Sequence, residues 1–182
     1  FHGGPTSIWL APADGGDCVL VANHDASDRQ PRWSPDGSLI AFVSLRDGRD
    51  TICVSLPSGD GPIIQMTWGL PGQDDREPTW SDDSTRIAFE ISDVNPADEP
   101  EKMDGWKRKT TPPIVVDRYH FKEDRTGYLS RHYSHIALFD LATKTATALT
   151  SGQVDDENPA WSPDGTRIAF VSKRAQPDPD RT

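Results

Sequence analysis

A twelve-residue phrase is written three times in this chain: PRWSPDGSLIAF from Pro31, PTWSDDSTRIAF from Pro78 and PAWSPDGTRIAF from Pro159. Extended to 17 columns beginning at Asp28, Asp75 and Asp156, eight columns are identical in all three copies: Asp, Pro, Trp, Ser, Asp, Ile, Ala and Phe. The first and third copies share four more. Repetition this dense means one supersecondary unit used several times, each copy burying its apolar face against the next. The repeat tryptophans Trp33, Trp80 and Trp161 are spaced 47 and 81 residues apart, so the second unit carries an insertion of 34 residues.

Between the copies the chain alternates apolar and polar residues with the period of half-buried strands, in SLIAFVS, TICVSL, PIIQMTW, TRIAFEI, SHIALFDL, TATALTS and TRIAFVS. About four strands per 47-residue unit, with no helical periodicity, predicts an all-β chain: a β-propeller of four-stranded antiparallel blades, here an incomplete set of about three. The expected division is the end of one blade over residues 1–27, a blade over 28–74, a blade over 75–155 with its insertion at about 94–131, and the start of another over 156–182. Closed propellers have roughly four to eight blades. The expectation is therefore an open set that continues at both ends in the natural protein, consistent with a chain that opens on Phe1.

Within the repeat, Ser34, Pro35, Asp36 and Gly37 read as a hairpin turn, with Pro setting φ, Asp capping backbone groups and Gly taking the left-handed position. The middle copy has Asp82 and Ser84 in place of Pro and Gly, which predicts about 1 kcal/mol of strain there and a gain in stability from Ser84→Gly. Trp33 is expected in the core between blades, with Ile40 and Phe42 on one face of the second strand and Ala41 on the other. Cys18 and Cys53 lie in apolar alternating runs and read as two reduced core thiols, a disulfide being the alternative.

The acidic balance, 29 Asp and Glu against 19 Lys and Arg, works against nucleic acid as a partner. No apolar run approaches the roughly 20 residues of a membrane-spanning helix. The repeated Asp28, Asp75 and Asp156 occupy equivalent radii in a propeller. They read first as side chains that hydrogen-bond the loop entering the inner strand, and alternatively as a channel-mouth, cationic-substrate or calcium site. His132 and His135, with His120 nearby, fall on opposite faces of an extended segment, so they read as surface or hairpin histidines rather than metal ligands. Lys102, Lys107, Arg108 and Lys109 form a basic cluster in the insertion, either a solvated loop or a carboxylate-binding patch. No G-x-S-x-G segment occurs, so no catalytic residue, cofactor site or metal site is assigned.

The repeat D-x-x-P-x-W-S-P-D-G-x-x-I-A-F resembles the blades of TolB-like propellers. Residues 111–174 more specifically resemble the propeller domain of the acylaminoacyl-peptidase branch of the prolyl oligopeptidase family. There a hairpin P-x-V-V-x-R-x-x-F-K-x-D-x-x-G-Y-L, here residues 113–129, precedes H-I-x-x-x-D-x-A-T-x-x-x-x-x-L-T-x-G, here residues 135–152, and the following blade ends in S-K-R and D-P-D-R-T. The resemblance implies a non-catalytic propeller that gates access to an α/β-hydrolase domain of the same parent chain and admits peptide substrates. Arg118 and Lys122 in the hairpin join Asp28, Asp75 and Asp156 as candidate substrate contacts. It favours the cytoplasm, whereas the TolB-like alternative, a protein-binding propeller with no attached enzyme, is periplasmic. Open blade edges also allow oligomerisation.

Overall fold

A computed structural model describes residues 5–22, 27–67, 73–93, 122–123, 127–128 and 133–174. Among them there is no helix. Strands β3 (Asp28–Trp33), β4 (Ile40–Arg46), β5 (Arg49–Ser55) and β6 (Ile64–Gln65) form one four-stranded antiparallel sheet in the order β3-β4-β5-β6. A second is built in the order β7-β8-β11-β12 from β7 (Gln73–Trp80), β8 (Arg86–Ser92), β11 (Ser134–Asp140) and β12 (Thr145–Ala148). On either side stands a two-stranded sheet: β1 (Ile8–Leu10) with β2 (Val19–Ala22), and β13 (Asp156–Trp161) with β14 (Ile168–Ser172). These are propeller blades, as the repeat requires. In the insertion, β9 (Lys122–Glu123) pairs antiparallel with β10 (Gly127–Tyr128), where the sequence places a hairpin.

The two faces of each sheet feed two different cores, because successive strand residues point to opposite sides. Ile40, Phe42 and Cys53 pack against Ile8, Val21 and Ala22 of β1 and β2. Ala41, Val43, Ile52 and Val54 pack against Trp80, Ile87, Phe89 and Ile91 of the second blade. The division of Ile40 and Phe42 from Ala41 is the one the alternation predicts.

Each inner strand carries a β-bulge at the same place, with Gln30, Glu77 and Asn158 at φ of 55°, 46° and 55° immediately before Pro31, Pro78 and Pro159. The bulge turns a polar side chain toward the neighbouring blade. Gln30 Nε2 donates to Glu77 Oε1 at 2.5 Å, the Glu77 amide donates to Gln30 Oε1 at 3.1 Å, and the Asn158 amide donates to Glu90 Oε1 at 2.6 Å.

The tryptophans clasp blade to blade. Trp80 Nε1 donates to the Arg32 carbonyl at 3.0 Å and Trp161 Nε1 to the Thr79 carbonyl at 3.1 Å, in both cases the residue before the previous blade's tryptophan. Two expectations need correcting here. Trp33 is 51% exposed rather than buried, because β1 and β2 present no inner strand for it to meet. Cys18 is exposed and only Cys53 is a core thiol, since Cys18 precedes the buried end of β2.

Candidate functional site: the buried aspartates of the inner strands

The first residue of the 17-column repeat enters the interior in every copy: Asp28, Asp75 and Asp156 are 2%, 5% and 0% exposed. A carboxylate so placed needs hydrogen bonds or a counter-charge. The second and third copies supply them, each differently.

In the blade before each aspartate, one position at the end of the fourth strand decides whether a hydroxyl reaches it. Thr67 accepts the Ile52 amide at 3.0 Å and donates a short hydrogen bond to Asp75. Thr150 does the same for the Ile136 amide at 2.9 Å and hydrogen-bonds Asp156. Strand register puts Ala22, opposite Ile8, at the corresponding place before Asp28. Alanine has no donor, and neither carboxylate oxygen of Asp28 has a hydrogen-bond partner among the described residues.

Two further columns lie at the far end of the second strand. In the third copy Ser172 bonds Asp156 and Arg174 forms an ion pair with it. Burial would raise the Asp156 carboxyl, but Ser172, Thr150 and the Arg174 guanidinium together hold it below the usual carboxylate range. In the first copy the same columns hold Ser44 and Arg46; Arg46 Nε donates to Ser44 Oγ at 3.1 Å, and its buried Nη2 has no partner among the described residues. In the middle copy the columns hold Ile91 and Asp93. Asp75 has lost both serine and arginine. Burial pushes its carboxyl up to about 7, with the Thr67 hydroxyl opposing and the charges of Asp50 and Asp74 adding to the rise.

Asp93, standing where the arginine would be, turns to the third strand of its own blade. Its Oδ2 lies 3.1 Å from His135 Nε2, and His135 Nδ1 lies 3.8 Å from Asp156 Oδ2. His135 is 4% exposed. The reading of His135 as a surface histidine is therefore corrected: it lies opposite Ile91 near the start of β11, buried, with its Nδ1 toward Asp156 of β13. Its line to Asp93, Asp156 and Arg174 joins two blades, and the sequence reading missed it. The signal was legible two columns beyond the repeat, where Arg46, Asp93 and Arg174 share a place.

The structure thus gives the three repeat aspartates one structural role in three electrostatic settings. Lys122 lies in β9, whereas Arg118, His120, His132 and the basic cluster at residues 102–109 lie outside the described residues. Among the described residues no group of three His, Cys, Asp or Glu side chains is arranged to hold a metal ion. What the site does chemically is hold charge between blades, with burial holding the Asp75 carboxyl up at about 7.

No family model matches the chain. It is 27% identical over 174 residues to the uncharacterized peptidase YuxL of Bacillus subtilis, a match covering 95% of this chain and 26% of that protein. In structure it is similar to TolB from Acinetobacter baumannii, with a TM-score of 0.54, 21% identity and coverage of 92% of this chain and 32% of the other. It is also similar to an acylaminoacyl peptidase solved with Z-Gly-Gly-Phe-chloromethyl ketone, with a TM-score of 0.56, 18% identity and coverage of 89% and 22%. The chain spans about a quarter of the length of the curated relative it matches end to end. Its likenesses are to peptidases and to TolB-like propellers.

Proposed function

We propose that the chain is the propeller portion of a serine peptidase of the prolyl oligopeptidase type, resting on an α/β-hydrolase domain and limiting it to short peptides. The single observation that carries this reading is the match to a peptidase along 95% of the chain, the insertion included. The blades supply a rigid scaffold whose strands are tied by the aspartate network, and the chemistry belongs to the hydrolase domain. In this reading Arg118 and Lys122 of the insertion are the substrate contacts, and the protein works in the cytoplasm.

The test uses the full-length parent protein. It is expected to hydrolyse short acylated peptide anilides, to be inhibited by a serine-directed reagent, and to act on unfolded proteins only after the propeller is removed. A parent with no G-x-S-x-G segment and no such activity overturns the reading. The TolB-like alternative, a periplasmic propeller that binds proteins, is supported by the TolB likeness and would then be expected to retain a partner protein in a pull-down.

A further inference from the structure

One buried aspartate opens the inner strand in each copy of the repeat, and the groups that serve it come from the end of the preceding blade and the second strand of its own. Thr67 serves Asp75, and Thr150, Ser172 and Arg174 serve Asp156. The counterparts at Asp28 are Ala22, Ser44 and Arg46. All three are among the described residues, yet both oxygens of Asp28 are buried without a hydrogen-bond partner there.

An orphaned donor lies close by. Strand pairing sets Asp28 opposite Ser44 and Ser44 opposite Thr51, with Arg46 and Cys53 on the same face of their strands. Arg46 commits its Nε to Ser44 Oγ at 3.1 Å, while its Nη2 is buried and unpartnered among the described residues. The Thr51 hydroxyl is committed to the Ser44 carbonyl at 3.2 Å. Cys53 marks where the two orphaned groups meet: burial pushes its thiol up, the Arg46 guanidinium opposes that rise and the Asp28 charge adds to it. Cys53 also packs in one cluster with Ala22. Asp28, Arg46 and the alanine that stands in threonine's place therefore border one point in the interior.

A carboxylate and a guanidinium nitrogen left unpaired in the interior are costly. One small molecule satisfies both only if it accepts from the arginine and donates to the aspartate. A metal or ammonium ion cannot accept, and a simple anion such as chloride cannot donate. Water does both, and alanine is shorter than threonine by a hydroxyl and a methyl, together about the size of one water molecule. We propose that a single buried water is bound between Asp28, Arg46 and Ala22, doing at this seam what threonine hydroxyls do at the other two. It accepts from Arg46 Nη2 and donates to an Asp28 oxygen, in the place that Thr67 Oγ1 takes beside Asp75. The seam between the β1-β2 sheet and the first four-stranded blade is thus closed by an exchangeable ligand, and the next two by side chains.

The experiment is a crystal structure of the full-length parent protein, at a resolution that shows ordered water, with Ala22→Thr and Ala22→Val beside it. In the native protein a water is expected within hydrogen-bond distance of both Asp28 and Arg46. Ala22→Thr is expected to expel it and bring its own hydroxyl to Asp28. Ala22→Val has the same shape without the hydroxyl, so it expels the water and supplies nothing, and its thermal midpoint is expected at least about 3 °C below that of Ala22→Thr. Where the valine variant does not fold, Ala22→Ser reads the same exchange, with its hydroxyl expected on Asp28 in the water's place. An Arg46 guanidinium paired directly with Asp28, an ion in place of the water, or equal midpoints for the threonine and valine variants each overturns the proposal.

Discussion

Asp75 shows what two missing neighbours do to a buried carboxylate. Its copies at 28 and 156 stand beside a serine and an arginine, whereas Ile91 and Asp93 leave it with the Thr67 hydroxyl and the Ile52 amide. Its carboxyl sits at about 7 against 3.8 in the unfolded chain, so the folded protein binds the proton more tightly. The stability this adds is complete below about pH 4 and is lost as pH rises through about 7. Asp75→Asn, which stays neutral and can still accept from Thr67, is expected to remove that slope: the thermal midpoint of the variant should gain on the native chain steadily from pH 4 to pH 8. Ser84 teaches a different lesson. Its φ of 59° bears out the strained turn, yet its hydroxyl accepts the Asp36 amide of the neighbouring blade at 3.1 Å. Ser84→Gly relieves about 1 kcal/mol of backbone strain and forfeits a hydrogen bond of about the same net worth, so the midpoint should barely move. Ser84→Ala keeps the strain and loses the bond, and its midpoint should fall.

Among elements, the turns are held mainly by their own side chains, and the glycine that matters most is elsewhere. In the Ser34 turn, Ser34 Oγ donates to Asp36 Oδ1 at 2.6 Å, and the Ser38 amide donates to the same oxygen at 3.0 Å. These bonds, Ser34 first, hold the Asp36 carboxyl down at about 2, and the Ser81 hydroxyl does the same for Asp83. A depressed carboxyl stabilises above its unfolded value and stops doing so as pH falls through its folded one, so these turns should weaken between about pH 4 and pH 2. Gly59, between β5 and β6, has φ of 73°, and a Cβ there would stand 2.6 Å from the Leu20 carbonyl oxygen. Gly37 has φ of 71° but open space around it. Gly37→Ala should therefore cost about 1 kcal/mol, the backbone penalty alone, while Gly59→Ala should cost clearly more in the same denaturant titration, because β2 must move away. The position of the insertion hairpin was legible from its alternation. The fate of Cys18 was not, since a short apolar run beside a loop reads the same whether it packs or not.

At the scale of the whole molecule, the blades share their cores rather than owning them. Phe89 is fully buried in a cluster drawn from both four-stranded sheets, with Val43, Ile52 and Val54 on one side and Ala137 and Phe139 on the other. Phe89→Ala should cost about 3–5 kcal/mol and lower the unfolding of both blades together, so circular dichroism and tryptophan fluorescence should report one shifted transition. Two separate transitions would mean the blades are energetically independent. The three copies by themselves determined the strand period, the turn, the blade architecture and the face each residue of the second strand presents, because all of these are local and repeat with the sequence. Which tryptophan is clasped and which is exposed, why Asp75 and Asp156 titrate in opposite directions, and how His135 comes to lie between Asp93 and Asp156 were decided only in three dimensions. Those outcomes depend on what the neighbouring blade sets opposite each residue, and that neighbour is dozens of residues away along the chain.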